Sequence, residues 1–141
     1  MAHDIFSLSG RSALVTGGSR GLGEAIARAF VQYGADVVIA SRQEESLKST
    51  ASRLQTEGTG RVAFVPADLT RREDVARLAH LAREAFGKID VLVNNAFRPY
   101  VFDPENRKMF WDLEWTDYQT QIDGALISTH GLCKAVLPSM K

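Results

Sequence analysis

The stretch Ser12-Ala13-Leu14-Val15-Thr16-Gly17-Gly18-Ser19-Arg20-Gly21-Leu22-Gly23 decides how this chain folds. Residues 12–16 form a short apolar run that stops at two glycines, the pattern of a strand buried on both faces. Leu22, Ile26, Ala29, Phe30 and Tyr33 then recur at helical spacing, and Gly34 sits where a helix C-cap glycine belongs. A glycine-rich turn between strand and helix has a physical use. The first helical turn offers N–H groups without intrahelical partners and the positive end of the helix dipole, and both attract an anion. Glycine lets the backbone turn tightly and lets a phosphate approach with no Cβ in the way. A plain tight turn needs one such residue. Four glycines within residues 17–23 point to a phosphate site.

Working outward, strand and helix signals alternate. Asp36–Ala40 is a second strand, rich in β-branched residues. Ser41 with Glu44 has capping-box spacing, and Leu47, Ala51 and Leu54 give a helical stripe that ends before Gly58. Val62–Val65 reads as a third strand stopped by Pro66, and Thr70 with Glu73 as a second capping box. The helix expected after that box has Val75, Leu78, Ala79, Ala82 and Phe86 on one face and is closed by Gly87. Val91–Val93 is a fourth strand, followed by a long polar and aromatic loop over residues 97–113. A last helix is expected from Trp115 to Leu137, with Tyr118, Ile122, Ala125, Leu126, Thr129, Cys133 and Val136 on one face and Pro138 ending it. The order β-α-β-α-β-α-β-α with near-continuous apolar strands calls for an α/β fold. The expected architecture is a Rossmann-type doubly wound parallel sheet in three αβα layers, with about four strands and four helices present.

Composition narrows the function classes. With 17 basic and 17 acidic residues the formal charge is zero, against the basic excess of a nucleic-acid binder. No apolar run reaches the ~18–20 residues of a membrane span, and residues 1–10 lack a signal-peptide pattern. The lone Cys133 can form neither an internal disulfide nor a cysteine metal cluster, which fits a reducing, cytoplasmic setting. His3, His80 and His130 show no metal-ligand spacing, so no metal is expected. Cys133 on an apolar helix face reads as core rather than nucleophile, and Arg71-Arg72 as a solvated helix start. Phe102, Met109, Phe110, Trp111 and Trp115 either pack the long loop or line a substrate entrance, and packing is the commoner use of aromatics.

Spacing separates the rival phosphate sites. Gly18 and Gly23 have the gap of a P-loop, but Glu24-Ala25 follows where Lys-Ser/Thr is needed, so the P-loop reading fails. Gly-x-Gly-x-x-Gly in register is absent too. An NAD-binding fold of this kind places an acid at the end of its second strand for the ribose hydroxyls. Here that strand ends Ala40-Ser41-Arg42, with no acid until Glu44. A carboxylate would repel the 2′-phosphate of NADP, whereas a guanidinium binds it bidentately. Arg20 can reach the same phosphate from the opposite side. NADP(H) is therefore expected over NAD(H). The missing acid also weakens an S-adenosylmethionine methyltransferase reading.

TGGSRGLG at residues 16–23 resembles the TGxxxGxG fingerprint of the short-chain dehydrogenase/reductase family. Asp68, after the third strand, matches the family's acid that contacts the adenine amino group, and Asn94-Asn95-Ala96 matches its NNAG motif. The resemblance spans nearly the whole chain and is greatest to 3-oxoacyl-acyl-carrier-protein reductases. It implies a cofactor site of Gly17, Ser19, Arg20, Gly21, Leu22, Gly23, Ser41, Arg42, Asp68, Leu69, Asn95, Ala96 and Phe97. It also implies hydride exchange between nicotinamide and a small carbonyl or alcohol substrate, and a homo-oligomer.

The family's catalysts are a serine and a Tyr-x-x-x-Lys pair. Tyr33, Tyr100 and Tyr118 are followed four positions on by Val37, Pro104 and Ile122, so no catalytic residue is expected among these 141. The chain reads as the N-terminal nucleotide-binding part of one domain, expected to be inactive alone. The alternative is a non-catalytic dinucleotide-binding module or an inactive truncated fragment, which would leave a sheet edge to aggregate or pair. Two departures stand out. Phe97 replaces the glycine of NNAG, and Ala125 falls at the family's helical asparagine, with Asp123 in an alternative register.

Overall fold

The computed structural model describes residues 5–97, 104–105 and 108–140. His3, Tyr100 and Phe102 lie outside the described residues, as does part of the 97–113 loop. The chain runs β1 (Ser12–Thr16), α1 (Gly21–Gln32), β2 (Asp36–Ser41), α2 (Glu44–Glu57), β3 (Val62–Pro66), α3 (Arg72–Phe86) and β4 (Val91–Val93). A short 3-10 turn, Phe110–Asp112, precedes α4 (Trp115–Ile122), a π-helical turn (Asp123–Ile127) and α5 (Ser128–Val136). The four strands are parallel in the order β3-β2-β1-β4, with Leu14 opposite Val38 on one side and Leu92 on the other. This is the Rossmann-type parallel sheet.

The alternation along β1 builds both layers. Ala13 and Val15 face the core shared with Ala27 and Val31 of α1 and Leu47 and Leu54 of α2. Leu14 faces the opposite core, with Leu78 and Ala82 of α3 and Leu132 and Val136 of α5. Side chains alternate across a strand, so one apolar run feeds two cores only if helices cover both faces.

Several local expectations are corrected. The buried stripe of α1 is Gly23, Ala27 and Val31, whereas Leu22 is 71% exposed and Tyr33 is also exposed. Small residues take the inner face because α1 starts tight against the turn; a Cβ on Gly23 would collide with the Gly17 carbonyl oxygen. Neither expected capping box forms at α2 or α3. The residues preceding these helices are Gln43 and Arg71, and neither makes a side-chain cap bond. Ser41 stays in β2, and the Thr70 hydroxyl donates to Asp68 Oδ1 at 2.8 Å. Glycine does close α1 and α3 as expected, with Gly34 at φ +93° and Gly87 at φ +81°.

The expected single last helix is interrupted by the π turn, and this rotates its buried face. Gly124, Ser128, Leu132 and Val136 are buried, while Ala125 is exposed and Leu126 is 67% exposed. The π turn adds a residue to the helical cycle, so the stripe read with a uniform 3.6 period slips beyond residue 122. Among the described residues no helix is long and apolar enough to cross a membrane.

Candidate nucleotide-binding site

The strand order reverses at β1: β2 and β3 extend the sheet one way and β4 returns on the other side. In doubly wound sheets, ligands bind in the crevice beyond the carboxyl ends of the strands at such a reversal. A cleft of about 650 Å³ lies there, bounded by the glycine turn after β1, the segments after β2, β3 and β4, and Gly124.

Thr16 ties the turn to β4. Its hydroxyl donates to the Val93 carbonyl at 3.1 Å and accepts from the amides of Asn95 and Ala96, each at 3.0 Å. Asn95 answers with its own amide, Nδ2 donating to the Thr16 carbonyl at 2.9 Å. The two segments therefore lock each other. Gly17 (φ +66°) and Gly21 (φ +58°) adopt the left-handed conformation that favours glycine. A Cβ on Gly17 would stand 2.7 Å from Asn95 Nδ2, so this position admits only glycine. The turn backbone is left bare on the cleft side at the start of α1, where amides and dipole suit an anion.

The far wall carries Asp68. Partial burial opposes ionisation of its carboxyl, but the Thr70 amide and hydroxyl and the Arg42 charge outweigh it and hold the pKa below the usual carboxylate range. Thr70 N and Oγ1 donate to Asp68 Oδ1 at 3.0 and 2.8 Å. Arg20 and Arg42 are exposed and line the cleft, and among the described residues neither guanidinium forms a hydrogen bond or ion pair. The Ser41 Oγ, in the wall of the same cleft, is buried without a hydrogen-bond partner. A buried hydroxyl left unpaired costs free energy unless a ligand completes it.

The structure brings together Gly17, Ser19, Arg20, Gly21, Leu22, Gly23, Ser41, Arg42, Asp68, Leu69, Asn95, Ala96 and Phe97 as walls of one cleft. Sequence reasoning missed Ala40, Gln43, Ser46, Ala67, Thr70 and Gly124, which line it as well. Gln43 and Ser46 follow Arg42 at the start of α2, a placement the strand-helix boundary already implied. Gly124 reaches the cleft only through the π turn, which no residue pattern announced. Ala125 is exposed and does not line the cleft, and Asp123 is turned to Gln119, whose Nε2 donates to it at 2.8 Å. Leu22 and Phe97, at 71% and 72% exposed, put two uncovered apolar side chains on the cleft wall.

Fold and cleft define a Rossmann-type nucleotide-binding architecture. The sequence profile of the short chain dehydrogenase family matches residues 11–141. The chain belongs to that family. A Pseudomonas aeruginosa protein named as a rhamnolipid-biosynthesis 3-oxoacyl-acyl-carrier-protein reductase is 46% identical over 94 residues, 67% of this chain and 36% of its own length. The RhlG/NADP complex of Pseudomonas aeruginosa superposes with a TM-score of 0.82 at 34% identity, over 97% of this chain and 50% of that one. L-Sorbose reductase of Gluconobacter frateurii, solved with NADPH and L-sorbose, gives a TM-score of 0.86 at 29% identity, over 96% and 49%. A 7α-hydroxysteroid dehydrogenase complexed with NADH gives 0.84 at 28% identity, over 96% and 50%. The chain spans about half the length of such relatives.

Proposed function

We propose that this chain is the NADP(H)-binding part of an oxidoreductase that exchanges a hydride between nicotinamide and a carbonyl or alcohol substrate, of the 3-oxoacyl reductase type. The fold alone leaves the nucleotide open, because similar structures hold NADP(H) and NADH. The carrying observation is at the end of β2. Where an NAD site places an acid, this chain has the unpartnered Ser41 hydroxyl, with the free guanidiniums of Arg42 and Arg20 in the same cleft. That set suits a dianionic phosphate and lacks the carboxylate that, at the end of β2, would accept from the ribose hydroxyls.

In this reading Arg42, Arg20 and Ser41 hold the 2′-phosphate, and Asp68 meets the adenine amino group as an acceptor kept ionised by Thr70. The α1 amides take the pyrophosphate, and Leu22 and Phe97 cover the nicotinamide end. Bound there, a reduced nicotinamide supplies a hydride to a carbonyl carbon. Tyr33 and Tyr118 lack the lysine four positions on, so turnover is proposed only for a protein that also carries such a pair. A cytoplasmic setting and a homo-oligomer belong to the same proposal.

Arg42→Ala removes a charge-assisted contact worth roughly 1.5–3 kcal/mol. Calorimetric titration should show NADPH weakened about tenfold or more, with NADH little changed. Equal losses for both nucleotides would remove Arg42 from the phosphate site.

A further inference from the structure

Thr50 lies on the inner face of α2 among Leu47, Ala51 and Leu54, and it is only 1% exposed. A hydroxyl in such company is costly unless bonded. It donates to the Ser19 carbonyl at 3.0 Å and accepts from Arg53 Nη2 at 3.1 Å. Arg53 continues to Glu24 Oε1 at 2.9 Å, and Arg28 reaches the same oxygen at 2.8 Å. Glu24 sits in the first turn of α1, where its charge would oppose a bound phosphate. Two arginines neutralise it at the α1–α2 interface.

The Ser19–Arg20 peptide is trans, so its N–H points opposite to its C=O. Pinning the Ser19 carbonyl onto α2 therefore turns the Arg20 amide away from α2. That amide makes no hydrogen bond among the described residues, and both Ser19 and Arg20 line the cleft. We propose that Thr50 is a positioning residue for the nucleotide phosphate. Its hydroxyl fixes the Ser19–Arg20 peptide so that the Arg20 amide and guanidinium stay on the cleft side, next to the 2′-phosphate. This inference rests on the NADP(H) reading above and adds to it a residue outside the glycine fingerprint.

The test titrates NADPH and NADH into the full-length protein carrying Thr50→Val, Thr50→Ala or Thr50→Ser, with thermal unfolding followed in parallel. Loss of one hydrogen bond to the carbonyl corresponds to about a fivefold change. Thr50→Val and Thr50→Ala should each weaken NADPH about fivefold and NADH less than about twofold, compressing the preference. Thr50→Ser, which keeps the hydroxyl, should restore the parental ratio. Equal weakening of both nucleotides, or no change, overturns the positioning role while leaving the NADP(H) reading intact. The role is equally overturned if Val and Ala both fail to fold while Ser folds, because Thr50 is then a core residue only. A parental protein that binds neither nucleotide removes the reading and the inference together.

Discussion

The glycine turn and the α4–π–α5 rod both reach the cleft, yet they are built by opposite rules. Within the turn, the buried Thr16 hydroxyl is fully bonded. Thr16 and Asn95 exchange bonds with each other's backbone, and the neighbouring β1 side chains are fully buried. Along the rod, Trp115, Leu126 and Ile127 are exposed, and among the described residues only Gly124 of the rod meets the cleft. Tight packing leaves the turn one conformation, which suits a site that must hold a phosphate without reorganising. The rod instead presents apolar surface that no described residue covers.

Substitutions can break this comparison. Leu14 is wholly buried in the central strand, and Leu14→Ala should cost about 2–5 kcal/mol in denaturant unfolding. Gly23→Ala puts a Cβ against the Gly17 carbonyl and within 2.6 Å of Asn95 Nδ2. It should cost about 1–3 kcal/mol and abolish NADPH binding in the same titration. A Gly23→Ala protein that binds normally would mean the turn is softer than its packing implies.

Acid tests the ties at the opposite end of the sheet, where β1 and β2 begin. Burial opposes ionisation of Asp90, but the Ser12 amide, Lys88 and Arg11 overcome it and hold the carboxyl below its ordinary range. Asp36 is lowered too, chiefly by its hydrogen bond to Arg61. Carboxylates with depressed folded pKa values bind fewer protons folded than unfolded through the window below about pH 4. Their contribution is complete above that unfolded value and is lost as pH falls through the lower folded one. Stability should therefore drop on acidification through about pH 4. Asp90→Asn, which keeps an acceptor for Ser12, should flatten part of the slope; an unchanged slope would deny Asp90 a share. At the small end, Leu126→Ala on the rod should change stability by less than about 0.5 kcal/mol. A larger loss would show that this face is covered in solution.

The same contrast explains what could be read from residues alone. Strands β1 to β4 and the stripes of α2 and α3 were legible because continuous apolar runs and i, i+4 spacing reflect burial directly. The cleft walls were legible because fingerprint residues follow strand ends. The face of α1 was not, since close approach at Gly23 selects small residues over the larger Leu22. Capping boxes failed where spacing matched but Ser41 was still held in the β2 ladder. The π turn left no mark in apolar spacing, so Gly124 and the rotated face of α5 could not be foreseen. Thr50 carries no apolar-stripe or fingerprint signal, because its partner, the Ser19 carbonyl, is brought to it only by the fold.

Phosphorus NMR of NADPH titrated with the protein reads the central claim at the atom concerned. If Arg20, Ser41 and Arg42 hold the 2′-phosphate, its resonance shifts or broadens together with the pyrophosphate resonances, and Arg42→Ala suppresses the 2′-phosphate change alone. A 2′-phosphate resonance that stays at its free position while the pyrophosphate signals move would contradict the account.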